Sequence, residues 1–344
     1  MNIPTKIFLK KCFKEYYRKH KITGPKEINH REFGIGMLEN KISIRHKEFN
    51  TIQDFNRYLK NEGPYYISYS TSYYRYPSGF PMLEKSWFGS DLVFDIDIPM
   101  DVLNSVGLNQ AKEETFKLIY LLNDLGIGNN DIKINYSGNR GYHVHVCNEN
   151  LNQLGKDERR EILNYVTGEG LNLKYDSNWS RRIKTCLVTF FNGAQVEDYK
   201  NIGFTKFQAE SLMKKSAYIS KRISKGCFNV HGAKDSIQKV IKNICLKSFS
   251  NPDKSVTTDL SRLIRVPDTL HGSTGLVTMS LSNLEAFNPL VDAIGIDSSY
   301  VMVDVNASFE LNRECFNLHG VYSIQKYIAV YCLLNGFGEI IENG

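Results

Sequence analysis

DLVFDID, residues 91–97, ends on two aspartates one residue apart. Leu92, Val93 and Phe94 make a short apolar strand, because β-branched and aromatic side chains suit a buried pleated surface. Alternate side chains of a strand share a face, so Asp95 and Asp97 point one way and Ile96 the other. Two carboxylates side by side at the end of an apolar strand repel each other and lose hydration unless a cation lies between them. A hard, oxygen-seeking ion such as Mg²⁺ or Mn²⁺ suits such a pair. A solvated strand end running into a turn at Ile98–Pro99 is the plainer alternative.

Working outward, the pattern over Asn109–Leu125 predicts an amphipathic helix stopped by Gly126. DIKINYS, the turn Gly138-Asn139-Arg140-Gly141 and YHVHV then predict a β-hairpin. Upstream, YYISYSTSYYR (65–75) reads as one strand, broken by Pro77, Gly79 and Pro81. Asn50 is placed to cap a helix over TIQDFNRYLK. REFGIGMLENKISIRH alternates as a hairpin turning at Glu39-Asn40, with Arg45 near the end of its second strand. Residues 4–19 carry Ile7, Phe8, Cys12, Phe13 and Tyr16 at helical spacing among lysines.

Residues 156–250 are rich in Lys, Arg, Asn and Ser, with helical stretches DERREILNYV, FQAESLMKKSAYISKRI and DSIQKVIKNICLK. Strand signals return near Val256, at RLIRVP (262–267) and at GLVTMSL (275–281), and SIQKYIAVYCLLNGFGEII closes the chain as an amphipathic helix. The expected fold is mixed α/β (α+β): a core from 1–155 and 251–344, with mixed or antiparallel sheets flanked by helices. A largely helical subdomain, 156–250, is inserted in it or packed beside it.

Composition narrows the class. With 344 residues, 42% hydrophobic and 23% charged, the chain has the make-up of a globular protein with a sizeable core. The excess of 43 Lys+Arg over 37 Asp+Glu is mild, and compatible with a polyanionic partner. No apolar run has membrane-spanning length and the N-terminus lacks a signal-peptide core, so a cytoplasmic protein is expected. The seven cysteines are scattered with no CxxC pair, which argues for reduced thiols. Cys227 and His231 have no second pair nearby, so structural zinc is not expected. No P-loop, GxSxG elbow or strand-following GxGxxG is present.

Two segments besides the aspartates suit phosphate. SGNRGYHVH offers Ser137, Arg140 and His143 at a hairpin tip whose glycines let the backbone approach a ligand. Arg and protonated His give charge-assisted bonds to phosphate oxygens. The other reading is a tight hairpin in which His143 and His145 are half-buried sheet residues. RLIRVPDTLHGSTG carries Arg262, Arg265 and His271; Arg in an apolar strand needs an anionic partner unless its ends are solvated. Asp253 or Asp259 could bring a third carboxylate to the pair. Carboxylates for cations, with Arg and His for phosphates, are the kit of phosphoryl or nucleotidyl transfer.

In this order, DLVFDID, YSGNRGYHVHV and DKSVTTDLSRLIRVPDTLHGSTG resemble the small catalytic subunit of archaeal and eukaryotic DNA primase, the archaeal form most closely. Weaker similarity runs through INHREFGIG, SIRH, LSNLEAFNPLVDA and the closing YSIQKYIAVYCLLNGFGEI. The resemblance implies a primase-type catalytic core in which Asp95, Asp97 and a third aspartate hold two Mg²⁺ or Mn²⁺ ions. In the family that third residue lies on a strand upstream of the basic segment, and its spacing to the following basic residue and His points to Asp253 over Asp259. It further implies that Ser137, Arg140, His143, Arg265 and His271 contact the incoming nucleotide, with Arg45 and Glu32 near the same site. The implied activity is template-directed primer synthesis from nucleoside triphosphates on single-stranded DNA, with a large iron–sulfur subunit as partner. Asn139 stands where some members carry a second Arg. The zinc knuckle that archaeal members usually carry after the aspartate pair is missing, since 99–135 contains no Cys or His.

Two other functions compete. A nucleotide-sugar glycosyltransferase also uses Asp-x-Asp with a metal, but would not need the Arg and His residues. A non-catalytic nucleic-acid-binding protein would bind DNA with or without divalent metal.

Overall fold

Asn2 starts the first element: its Oδ1 accepts from Thr5 N at 2.8 Å, and helix α1 (Ile3–Lys19) follows. Leu9, Cys12, Phe13, Tyr16 and Tyr17 form its buried face. Strands β1 (Phe33–Gly36) and β2 (Ile44–Lys47) pair antiparallel, with Met37 and Asn40 closing the turn through two backbone bonds. Helix α2 (Ile52–Glu62) is capped by Thr51, whose Oγ1 accepts from Asp54 N at 3.1 Å; the cap is not Asn50.

The single strand expected over 65–75 is two. β3 (Tyr66–Ser70) pairs with β1, while β4 (Ser72–Tyr74) pairs with β5 (Trp87–Ser90) in another sheet. The break is held by Arg31, fully buried, whose Nη1 donates to the Ser70 and Thr71 carbonyls at 2.9 and 2.8 Å. Its Nη2 bonds Asp91 Oδ2 at 2.7 Å, fixing the start of β6 (Leu92–Asp97).

Asn104 caps helix α3 (Ser105–Asp124), which begins before Asn109. β7 (Ile132–Tyr136) and β8 (Gly141–Val146) form the hairpin read from the sequence, and β8 pairs on its other side with β6. The remaining helices are α4 (Lys156–Thr167), α5 (Asn178–Gly193), α6 (Val196–Asn201), α7 (Lys206–Ser224), α8 (Lys234–Asn243) and α9 (Lys254–Thr258), then α10 (Pro289–Asp292) and α11 (Lys326–Leu334). The remaining strands are β9 (Leu263–Arg265), β10 (Met279–Leu281), β11 (Tyr300–Leu311), β12 (Glu314–Gln325) and β13 (Gly338–Ile340).

Three expectations change here. Val256 lies in α9 and not in a strand, because Asp253 Oδ1 caps that helix by accepting from Ser255 N at 2.9 Å. Asp253 is therefore a helix cap, whereas the resemblance implied a strand. The closing helix covers only α11, since Ser323–Gln325 belong to β12 and 338–340 to β13.

The computed structural model describes residues 1–169, 178–243 and 245–341. Of the helical region read over 156–250, residues 170–177 and 244 lie outside these. The described chain divides into two units, 1–161 with 252–344, and 162–251. The first holds two four-stranded sheets, ordered β2-β1-β3-β9 and β10-β7-β8-β6, with a three-stranded sheet β12-β11-β13. Its core gathers Phe13, Tyr17, Phe33, Ile35, Phe55, Ile67, Val266 and Leu270 from α1, α2, the first sheet and the segment after β9. Each such fully buried side chain contributes about 1.5–3 kcal/mol. The second unit is helical and packs Leu187, Phe191, Tyr199, Leu212, Ile219 and Ile237 from α5, α6, α7 and α8. Among the described residues no helix is long and apolar enough to cross a membrane.

Candidate active site

Antiparallel pairing of β6 with β8 builds the first wall. Asp95 stands opposite His143 and Asp97 opposite Gly141, so carboxylate and imidazole project from one face. His143 Nε2 lies 3.8 Å from Asp95 Oδ1. Gly141 has to be glycine, since a Cβ there would fall 1.7 Å from the Ile96 carbonyl oxygen. Gly138 takes φ +79° at the tip, a conformation glycine adopts without strain. Ser137 Oγ accepts from the Asn139 and Gly141 amides, both at 3.3 Å. The tip so fixed directs Arg140 back along β6, its Nη2 bonding Asp97 Oδ2 at 2.7 Å. Asp253 N donates to the Asp95 carbonyl at 2.8 Å, bringing the α9 cap beside the same strand.

β9 supplies the opposite wall. Arg265 pairs in register with Ser68 of β3, and its guanidinium lies 5.6 Å from the centre of the Tyr66 ring. Its Nε and Nη1 are buried without a hydrogen-bond partner, as is Arg140 Nε. His271, also buried, accepts at Nδ1 from Ser273 N (3.1 Å), which leaves Nε2 to carry the proton of the neutral ring. Arg45 at the rim is oriented by Glu32 Oε1 (2.8 Å) and the Ser261 carbonyl (2.9 Å). Glu32 is itself buried and takes Lys85 Nζ on Oε2 at 2.7 Å.

These walls enclose a cavity of about 420 Å³. Arg45, Asp95, Asp97, Ser137, Arg140, His143, Asp253, Arg265 and His271 all line it, as does Asp259. Glu32 lies behind the lining and acts on it through Arg45. His145 shares the face of His143 but lines a separate cavity with Arg31 and Asp91. Arg262, read with Arg265 in the phosphate-suited segment, lines the site too, as do Lys41, Tyr66, Ser68 and Ser261, to which no role was assigned from sequence. Lys41 had a usable signal, a cation at the turn leading to Arg45. Tyr66 and Ser68 had none, because only the pairing of β3 with β9 brings them there.

The electrostatics are those of separated, unsatisfied charge. Burial pushes Asp95 up to about 7, with Asp97 and Asp253 adding repulsion against the pull of Arg262 and Arg265. Burial pulls Arg265 down to about 10. His143 and His271 are held well below the usual imidazole range, first by burial and then by neighbouring His145 and Arg265 respectively. Burial therefore favours the neutral form of both rings, where the sequence suggested protonated histidines; the arginines carry the positive charge of the cavity. In Glu32, burial favours the neutral acid, but the bonds from Lys85 and Arg45 outweigh it and hold the carboxyl below its ordinary range.

Among the described residues no three His, Cys, Asp or Glu side chains are gathered closely enough to hold a metal ion together. The donor set nonetheless fits a hard cation: two oxygen ligands share one face, and Asp95 is raised first by burial and then by repulsion from Asp97, both of which a cation would offset. Asp253 stands close enough for its charge to add to the upward push on Asp95, and Asp259 lines the same cavity.

Residues 94–282 match the family profile described as DNA primase small subunit. The chain is 32% identical over 393 aligned residues to the DNA primase small subunit PriS of Methanococcoides burtonii, covering 98% of this chain and 99% of that one. It is likewise 32% identical over 348 residues to PriS of Archaeoglobus fulgidus, covering 96% and 98%. Against PriS of Methanoregula boonei the identity is 32% over 383 residues, covering 99% and 100%.

Proposed function

The chain belongs to the DNA primase small-subunit family, and from that premise we propose that it joins nucleoside triphosphates into short primers on a single-stranded DNA template. One observation carries the reading: a single cavity has carboxylates on one wall and buried, partnerless guanidinium donors on the other. A cation-bound triphosphate offers positive charge to the first and anionic oxygen to the second. In the proposed reaction a 3′-hydroxyl attacks the α-phosphate and pyrophosphate leaves.

Asp95, Asp97 and Asp253 would hold two Mg²⁺ or Mn²⁺ ions. When bound, such ions neutralise charge on the transferring phosphate and activate the attacking hydroxyl. Arg265 meets the β- and γ-phosphates with its free Nε and Nη1, in a planar fork suited to phosphate. His143 and His271 give neutral N–H bonds, and Arg140 adds a second cation from the hairpin tip. Ser137 holds that tip in shape, and Arg45 is kept at the rim by Glu32. A large iron–sulfur subunit is the proposed partner in starting chains, where two nucleotides must be bound together.

Incubating the chain, alone and with a large subunit, with labelled nucleoside triphosphates and a single-stranded template tests this directly. Template-dependent oligonucleotides are expected, and Asp95→Asn or Asp97→Asn should abolish them without unfolding the protein. Full activity in either variant defeats the metal-pair assignment. Product independent of template, or none, defeats the primase reading.

A further inference from the structure

The cavity accounts for an incoming nucleotide but not for the strand that selects it. Beside its rim lies a loop whose large side chains are turned to solvent: Tyr76 is 63% exposed, Phe80 72% and Trp87 37%. Exposed aromatics on one loop and at the start of β5, which follows it, mark an interaction surface. The loop is firmly mounted, since Arg75 N and Tyr76 N donate to the Ser86 and Lys85 carbonyls at 3.1 Å, and Lys85 is anchored on buried Glu32. Ser78 N donates to Glu48 Oε2 at 3.3 Å, at the end of the neighbouring strand.

Two contacts join this loop to the catalytic cavity. The Phe80 ring lies 5.4 Å from that of His46, which follows the cavity-lining Arg45. Trp87 Nε1 donates to Ser72 Oγ at 3.0 Å, and Ser72 Oγ bonds the Leu260 carbonyl, next to the lining residues Ser261 and Arg262. Alongside runs β2, an edge strand of its sheet. The run Lys41–Lys47 carries Lys41, Arg45 and Lys47 with no carboxylate. Glu48 follows the run, Lys47 Nζ lies 4.5 Å from the centre of the Tyr58 ring, and Glu32 is shared between Arg45 and Lys85; with four cations against two carboxylates the rim remains positive.

We propose that β2 and the 76–87 loop form the template-strand platform, binding single-stranded nucleic acid with phosphates along Lys41–Lys47 and bases stacked on Tyr76, Phe80 and Trp87. The pairing of a basic track with aromatic faces is what unpaired nucleic acid requires, because every base has a π-face and every linkage a charge. A duplex keeps its bases stacked on one another and cannot use such a surface. The inference rests on the primase reading for its purpose, but binding can be measured without catalysis.

Oligo-dT titrated into the 344-residue chain is expected to quench tryptophan emission through Trp87, with Trp179, only 4% exposed, as a constant background. Tyr76→Ala and Phe80→Ala should each weaken binding roughly ten-fold. They should raise the template KM while leaving the nucleotide KM and the unfolding midpoint unchanged. Trp87→Phe should lose the quench but retain most of the affinity. Wild-type affinity for oligo-dT in the Tyr76→Ala/Phe80→Ala double variant, or no binding by the wild type, overturns the inference. A wild type that binds and shows these losses, yet makes no template-dependent product, would defeat the primase reading and leave the platform standing.

Discussion

Replacing Asp95 by Asn is expected to stabilise the metal-free protein above neutral pH while destroying its activity. The carboxyl lies at about 7 against an ordinary 3.8, held there by burial and by Asp97. That is a displacement of about 3 units, or about 4 kcal/mol at about 1.4 kcal/mol per unit. The side chain is 21% exposed, so hydration relieves part of this, and about 2 kcal/mol is the working figure. The sign follows from proton counting. Between about pH 4 and pH 7 the folded protein holds a proton that the unfolded chain has released, so stability falls as pH rises through that window and levels off above it. Asn is close in shape to the protonated acid and cannot ionise, so the variant lacks this slope. Urea unfolding in chelator should give similar curves at or below about pH 4 and a lead of about 2 kcal/mol for the variant near about pH 8. Adding Mn²⁺ at the higher pH should then stabilise the wild type by mass action and the variant far less. If the two proteins keep parallel pH dependence, or the variant is the weaker at high pH in chelator, Asp95 is not an uncompensated carboxylate and the reasoning fails.

Three further outcomes follow from individual contacts. Arg265→Met removes a buried guanidinium with two idle donors, so folding should be unaffected or gain about 1–2 kcal/mol, while triphosphate affinity falls about a hundred-fold. Calorimetric titration with a non-hydrolysable nucleotide checks this, and unchanged affinity would remove Arg265 from the phosphate site. Gly141→Ala drives a methyl into the Ile96 carbonyl and should cost about 3 kcal/mol with loss of primer synthesis; a urea midpoint equal to wild type would contradict that geometry. Lys85→Met strips buried Glu32 of one partner and should cost about 3 kcal/mol, part of it recovered by adding Glu32→Gln. Equal stability of the single and double variants would show that the pair is not coupled.

Local sequence carried the β6 strand and the β7–β8 hairpin because each needs only alternation and turn chemistry within its own residues. It failed where a distant group decides. Nothing within 65–75 shows that Arg31 holds the Ser70 and Thr71 carbonyls and divides the stretch between two sheets. The long β11–β12 hairpin escaped notice because its two-residue connection is Asn312-Arg313, both at positive φ. Asn is at home there, whereas Arg is not a residue that advertises such a turn. β12 is also exposed on most of its length, so no apolar alternation marks it. At the site, motif order pointed to Asp95, Arg140, His143 and Arg265, but the protonation of the histidines lay beyond it. The preference for neutral rings comes from burial, and no residue near either His encodes that.

The two walls also explain why the cavity holds its charges apart. Asp95 would gain from a cation and Arg265 from an anion, yet they stand on different sheets and make no direct ion pair. Arg140, on the same sheet as the carboxylates, bonds Asp97 through a single contact that leaves its Nε idle. On the proposed reading that bond is a placeholder. A cation taken up by Asp97 competes with Arg140 for the same oxygen, and the freed guanidinium is then available to the phosphate arriving with the cation. A cation without a triphosphate would displace Arg140 without offering it a new partner. A triphosphate without a cation would meet two unneutralised carboxylates. Each alone leaves one wall unsatisfied, so the arrangement favours joint binding, and nucleotide affinity should rise with divalent metal more steeply in the wild type than in Arg140→Met.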